Sequence, residues 1–91
     1  MISFKHKGLK KFFSEGDVSK LNPSHISKLK RILFRLNNAK ELRDLNVPGW
    51  RLHKLKGNLK GCYAIDVSGN FRVVFSFENG DSHDVDYDDY H

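Results

Sequence analysis

Near the end of the chain two alternating runs meet at an Asn–Gly pair: "FRVVFSFE", residues 71–78, then "NGD", then "SHDVDYDDYH", residues 82–91. In the first run Phe71, Val73, Phe75 and Phe77 fall on one side and Arg72, Val74 and Ser76 on the other, the period of two that a half-buried strand requires. Asn–Gly readily adopts the positive backbone angles of the tightest hairpin turns, so the chain is predicted to fold back at residues 79–80. The rest of the chain must then cover the four apolar residues, and Arg72 must point the other way. Upstream, "CYAIDV" sets Tyr63, Ile65 and Val67 against Cys62, Ala64 and Asp66, with "SGN" as its turn. "RLHKLK", residues 51–56, reads as one more strand with a local irregularity, because Leu52 and Leu55 sit at odd spacing.

Before Trp50 the period is helical. "MISF" reads as a short first strand, and Leu9, Phe12 and Phe13 then form a helical stripe that stops at Gly16. Ser24 or Asn22 can cap a second helix, with Pro23 in its first turn. Ile26, Leu29, Ile32, Leu33 and Leu36 give that helix one core-facing side about four turns long. A short helix is expected at "AKELRDL", after which Pro48–Gly49 breaks the pattern. At 91 residues there is room for one modest core. The expected architecture is α+β: a single domain, 1–91, with N-terminal helices packed on one face of a curved antiparallel sheet.

Charge is divided unevenly. Residues 1–60 hold 15 of the 16 Lys and Arg against four acids, a balance of +11, while residues 61–91 hold Arg72 against seven acids, a balance of −6. A basic surface of this kind attracts polyanions through counterion release. Lys28, Arg31 and Arg35 line the second helix opposite its apolar side, and could equally be an ordinary solvated face. No apolar run reaches the length of a membrane-spanning helix, the start lacks the apolar stretch of a signal peptide, and Cys62 has no second cysteine to pair with. A cytoplasmic protein with no membrane partner is the simplest reading.

The open face of the sheet could gather chemistry. Asn70 shares the parity of Arg72, and the strand with His53 and Lys56 and the strand ending in Tyr90–His91 could flank it. Such a group suits metal-free cleavage of RNA through its own 2′-OH. That reaction needs a base for the 2′ proton, an acid for the leaving 5′-oxygen, and cations for the charge gathering on phosphorus. No metal-ligand spacing is present and no cofactor is required. His91 follows Asp88 and Asp89, whose charge favours its protonated form; His53 lies among Arg51, Lys54 and Lys56, which disfavour it. Environment therefore assigns His91 as acid and His53 as base, although geometry could reverse the two. His6, His25 and His83 are read as solvated. The basic surface would also suit a non-catalytic module that binds ribosomal RNA or protein.

The second half of the chain resembles the HigB group of the RelE superfamily of bacterial toxins. The resemblance is carried by R-L-H-x-L-K-G at residue 51, K-G-x-Y-x-I-x-V at residue 60, G-N-F-R followed by F-x-F-x-x-G-D, and D-Y-H closing the sequence; "FKHKGLKKFF" is similar more loosely. It implies a RelE-like fold and an endoribonuclease that cleaves mRNA in the ribosomal A site without metal. It also implies a HigA-like helix-turn-helix antitoxin, with operator DNA contacted only through the toxin–antitoxin complex. By position it implies catalytic roles for His53, Asp89, Tyr90 and His91, with Lys56, Asn70 and Arg72 on RNA or phosphate. Lys10, Lys11, Lys28, Arg31 and Arg35 become candidates for ribosome contact.

Overall fold

Both halves of the chain adopt the periods set by their apolar residues. The computed structural model describes residues 1–59 and 61–89. In chain order the elements are β1 (Ile2–Phe4), α1 (Lys7–Glu15), α2 (Ile26–Asn38), β2 (His53–Lys54), β3 (Cys62–Ser68), β4 (Phe71–Glu78) and β5 (Asp81–Asp89). Gly16 closes α1 as a left-handed C-cap at φ 74°. Asn22 acts as the predicted cap, its Oδ1 accepting from Ser24 N–H at 3.0 Å, but for the 3-10 turn Pro23–His25 that leads into α2.

The strands form one sheet in the order β1-β5-β4-β3-β2. The β2–β3, β3–β4 and β4–β5 pairs are antiparallel, as expected, whereas β1 lies parallel to β5 and makes the sheet mixed. The first strand leaves into a helix rather than a hairpin, so it reaches the far edge by a crossover. Asn79 and Gly80 both take positive φ, 52° and 80°, as the tight β4–β5 turn demands. The core lies between the helices and one sheet face: Leu9 of α1 and Leu29, Ile32, Leu33 and Leu36 of α2 pack with Ile65, Val73, Phe75 and Val85.

Three local expectations change. The strand expected over residues 51–56 shrinks to His53–Lys54, because its irregular apolar spacing offers no continuous buried side. The helix expected at "AKELRDL" is a 3-10 turn, Leu42–Leu45, that buries only Leu45. The third change carries consequences for the site. Ser76 pairs with His83, but beyond Phe75 the register slips by one, so that Val74 meets Asp86 and Arg72 meets Asp88. Asp84, at φ 52°, is the extra residue of this β-bulge. The bulge keeps Ser82, Val85 and Tyr87 on the helix side while Asp86 and Asp88 turn outward; strict alternation from Ser82 would carry those carboxylates into the core.

Candidate active site

The face of the sheet away from the helices carries His53 on β2, Asp66 on β3, Arg72 on β4 and Asp88 on β5. The register joins them: His53 pairs with Ala64, Ala64 with Val74, and Asp66 with Arg72, which pairs in turn with Asp88. Residues opposite one another in a ladder project to the same side, so these side chains share one surface.

Arg72 is the centre of this surface. Its side chain is only 14% exposed, and its Nε lies 3.1 Å from Asp88 Oδ2. On the other flank, Asp66 Oδ2 is 3.4 Å from Arg51 Nε, while Asp66 Oδ1 is buried without a hydrogen-bond partner among the described residues. The guanidinium is thus held by the cross-strand Asp88, while the register places Asp66 opposite it on the other neighbouring strand.

His53 is exposed, and its Nδ1 lies 2.6 Å from the carbonyl oxygen of Arg51. A carbonyl can only accept, so Nδ1 carries the proton. In the neutral ring the lone pair therefore sits on Nε2, the tautomer a general base needs. Lys56 lies in the β2–β3 connection, which is fastened where Leu55 N–H donates to Cys62 O at 3.0 Å. Cys62 is level with Ser76, four residues along β4 from Arg72, a backbone separation of about 13 Å. His53 stands between the two levels. Asn70, exposed in the turn before β4, adjoins the Arg72 end.

Asp89 stands apart from this surface. It pairs with Phe71 and therefore shares the parity of Phe71 and Tyr87, the helix side, while Asp88 is the acid facing Arg72. Asp88 is the functional candidate that the motifs left out. The signal for it was the hairpin turn, but counting from Asn79–Gly80 without the bulge sets Arg72 opposite Tyr87. Tyr90 and His91 lie outside the described residues.

Two further expectations are corrected. His25 is not solvated: it is 5% exposed and hydrogen-bonds to Tyr87, while His6 is half-buried, its Nδ1 accepting Leu9 N–H at 3.1 Å as the N-cap of α1. His83 is also half-buried. Among the basic candidates Lys10, Lys11, Arg31 and Arg35 are exposed, but Lys28 is half-buried, its Nζ donating to Val67 O at 3.2 Å. Its stem lies against the sheet end, which makes it a tie between layers as well as a charge.

The chain matches, over residues 2–91, the family model described as the RelE-like toxin of the type II toxin–antitoxin system HigB. It is 39% identical over 89 residues to "Endoribonuclease HigB" of Proteus vulgaris, covering 98% of this chain and 97% of that protein. It is 37% identical over 81 residues to "Toxin HigB-1" of Vibrio cholerae serotype O1 (strain ATCC 39315 / El Tor Inaba N16961), covering 87% and 85%. The chain belongs to the HigB family of RelE-like toxins. Among the described residues no helix is long and apolar enough to cross a membrane.

Proposed function

We propose that this chain is an endoribonuclease that cuts mRNA in the ribosomal A site and so inhibits translation. A helix-turn-helix antitoxin of the HigA type holds it in check, and their complex contacts operator DNA. The observation that supports the cleavage reading most is the shared open face: His53, with the Nε2 lone pair of its neutral ring, and Arg72, held by Asp88, stand on the sheet face opposite the two α-helices.

In this reading His53 Nε2 takes the proton of a ribose 2′-OH, whose oxygen attacks the adjacent phosphorus. The P–O5′ bond breaks, and the 5′-oxygen leaves with a proton from His91. The products are a 2′,3′-cyclic phosphate and a 5′-hydroxyl, with no water consumed and no metal called for. Arg72 balances the charge that develops on the phosphoryl oxygens. Lys56, next to the Leu55 that bonds Cys62 at the end of β3 away from Asp66, suits a flanking phosphate better than the scissile one. Asn70 contacts the message beside the cut, Asp89 orients the residues that follow it, and Tyr90 meets a base or phosphate.

The decisive test pairs His53→Ala with His91→Gln. Each should lower cleavage of ribosome-bound mRNA by about 10²-fold or more, with ribosome cosedimentation retained. Full growth arrest by both variants would overturn the reading and leave a non-catalytic binding module.

Ribosome contact should lie on the helix layer, on the other side of the sheet from the cutting face. Replacing Lys10, Lys11 and Arg31 together by alanine should weaken cosedimentation and flatten its salt dependence, with the melting temperature kept. Lys28 and Arg35 are left in place because their bonds to Val67 O and Asp44 O support the fold. Cosedimentation equal to wild type across rising salt would count against this surface.

A further inference from the structure

Behind the Arg72 end of the open face, on the helix side, lies a polar cluster that the proposed chemistry does not use. His25 ends the 3-10 turn before α2, and its Nδ1 lies 2.5 Å from the Tyr87 hydroxyl. Its ring meets Phe71 edge-on, with centroids 4.8 Å apart at 64°, and Tyr87 stacks on Phe71 at 5.2 Å and 27°. His6 completes the group, edge-on to Tyr87 at 5.6 Å while its Nδ1 caps α1. Burial raises the Tyr87 pKa above its ordinary value; a backbone hydrogen bond from Asn22 opposes this and the Asp89 charge adds to it. The phenol therefore stays protonated at neutral pH.

An imidazole and a phenol are an expensive filling for a position that leucine and phenylalanine could occupy. The imidazole loses its solvation and the half-buried phenol part of its own, and their hydrogen bonds return only some of it. What the bond adds is direction, because it holds two rings at a set distance and angle in a way that dispersion contacts do not. The place where it does so is specific. Phe71 stands between Asn70 and Arg72, and Tyr87 immediately precedes Asp88. The register sets Phe71 against Asp89 and Arg72 against Asp88. The cluster therefore backs the Arg72–Asp88 pair, one sheet thickness away.

We infer that His25 and Tyr87 are positioning residues for the cutting face: their hydrogen bond, wedged on Phe71, ties the β4–β5 end to the helix layer and sets where Arg72 is held. The activity readout rests on the endoribonuclease reading; the positional claim does not. Tyr87→Phe removes only the hydroxyl, and His25→Phe keeps a ring without the bonding nitrogen, whereas His25→Asn returns a polar group near Nδ1. In the first two, kcat on mRNA-programmed ribosomes should fall about tenfold with KM unchanged. His25→Asn should recover most of it, and the double Phe variant should be no worse than the worse single one. The NMR signal of the Arg72 Nε–H should shift in both Phe variants and return toward wild type in His25→Asn.

An unmoved Arg72 signal in Tyr87→Phe would overturn the inference. So would unchanged kcat, a loss confined to KM, or a loss that only follows a lower melting temperature. If the wild-type protein cuts no ribosome-bound mRNA, the nuclease reading fails, and the Arg72 signal still decides the positional claim.

Discussion

Arg72→Ala should lower single-turnover cleavage of ribosome-bound mRNA by about 10²–10³-fold, the effect of removing one well-placed donor to a developing oxyanion. As the 2′-oxygen attacks, negative charge builds on the phosphoryl oxygens, and a cation already in position stabilises it without reorganising. Arg72 meets that requirement: its side chain is largely buried and its Nε is fixed 3.1 Å from Asp88. Arg72→Lys should recover little, because an ammonium lacks the planar fork and cannot keep the Asp88 contact while reaching phosphate. Asp88→Asn should fall between, since the guanidinium remains but is held less firmly. Ribosome cosedimentation should persist in all three, as Arg72 is one charge among many. Cleavage by Arg72→Ala within about threefold of wild type would remove Arg72 from the mechanism.

How much of this was legible depends on which residues are asked. The apolar side of β4 was plain, because Phe71, Val73, Phe75 and Phe77 alternate without interruption, and Arg72 had to face away from them. The α2 stripe was equally plain, and Leu29, Ile32, Leu33 and Leu36 are all buried as the spacing predicts. The register of β5 was not. A bulge is one residue of backbone at Asp84, a type that tolerates positive φ but appears in many settings without it. Its cause is collective: Val85 and Tyr87 must go in and Asp86 and Asp88 must stay out. For the same reason Asp88 was overlooked and Asp89 assigned by motif.

His25 illustrates a different limit. Nothing near it in sequence marks it as buried, for it lies in a polar stretch, "NPSH". Its partner Tyr87 is 62 residues away, and only the packing of the turn against the end of β5 brings them together. Lys28 was misread similarly, since helical spacing places it beside Arg31 but does not reveal the Val67 carbonyl at the end of β3. Local period predicts faces well; it says little about which polar side chain meets a distant element.

The second large effect concerns stability, and it separates folding from chemistry on a single strand. Phe75 is 1% exposed at the middle of β4, packed in the core and stacked on Tyr63 at 6.0 Å. Phe75→Ala removes a buried ring and leaves a cavity that a sheet, tied by hydrogen bonds on both sides, cannot close, at a cost of about 3–5 kcal/mol. A domain of this size is stable by only about 5–14 kcal/mol. The melting temperature followed by circular dichroism should drop by about 15–30 °C. Phe34→Ala is the matched control: its ring is 66% exposed on α2, so stability should change by less than about 0.5 kcal/mol. Phe75→Ala should thus lose toxicity in cells through depletion of folded protein, while whatever remains folded in the cold should cut at near wild-type rate. Arg72→Ala should show the reverse, a normal melt without cleavage. A Phe75→Ala protein melting within a few degrees of wild type would mean that the β4 core face does not hold the fold together, and the placement of Arg72 opposite it would lose its physical basis.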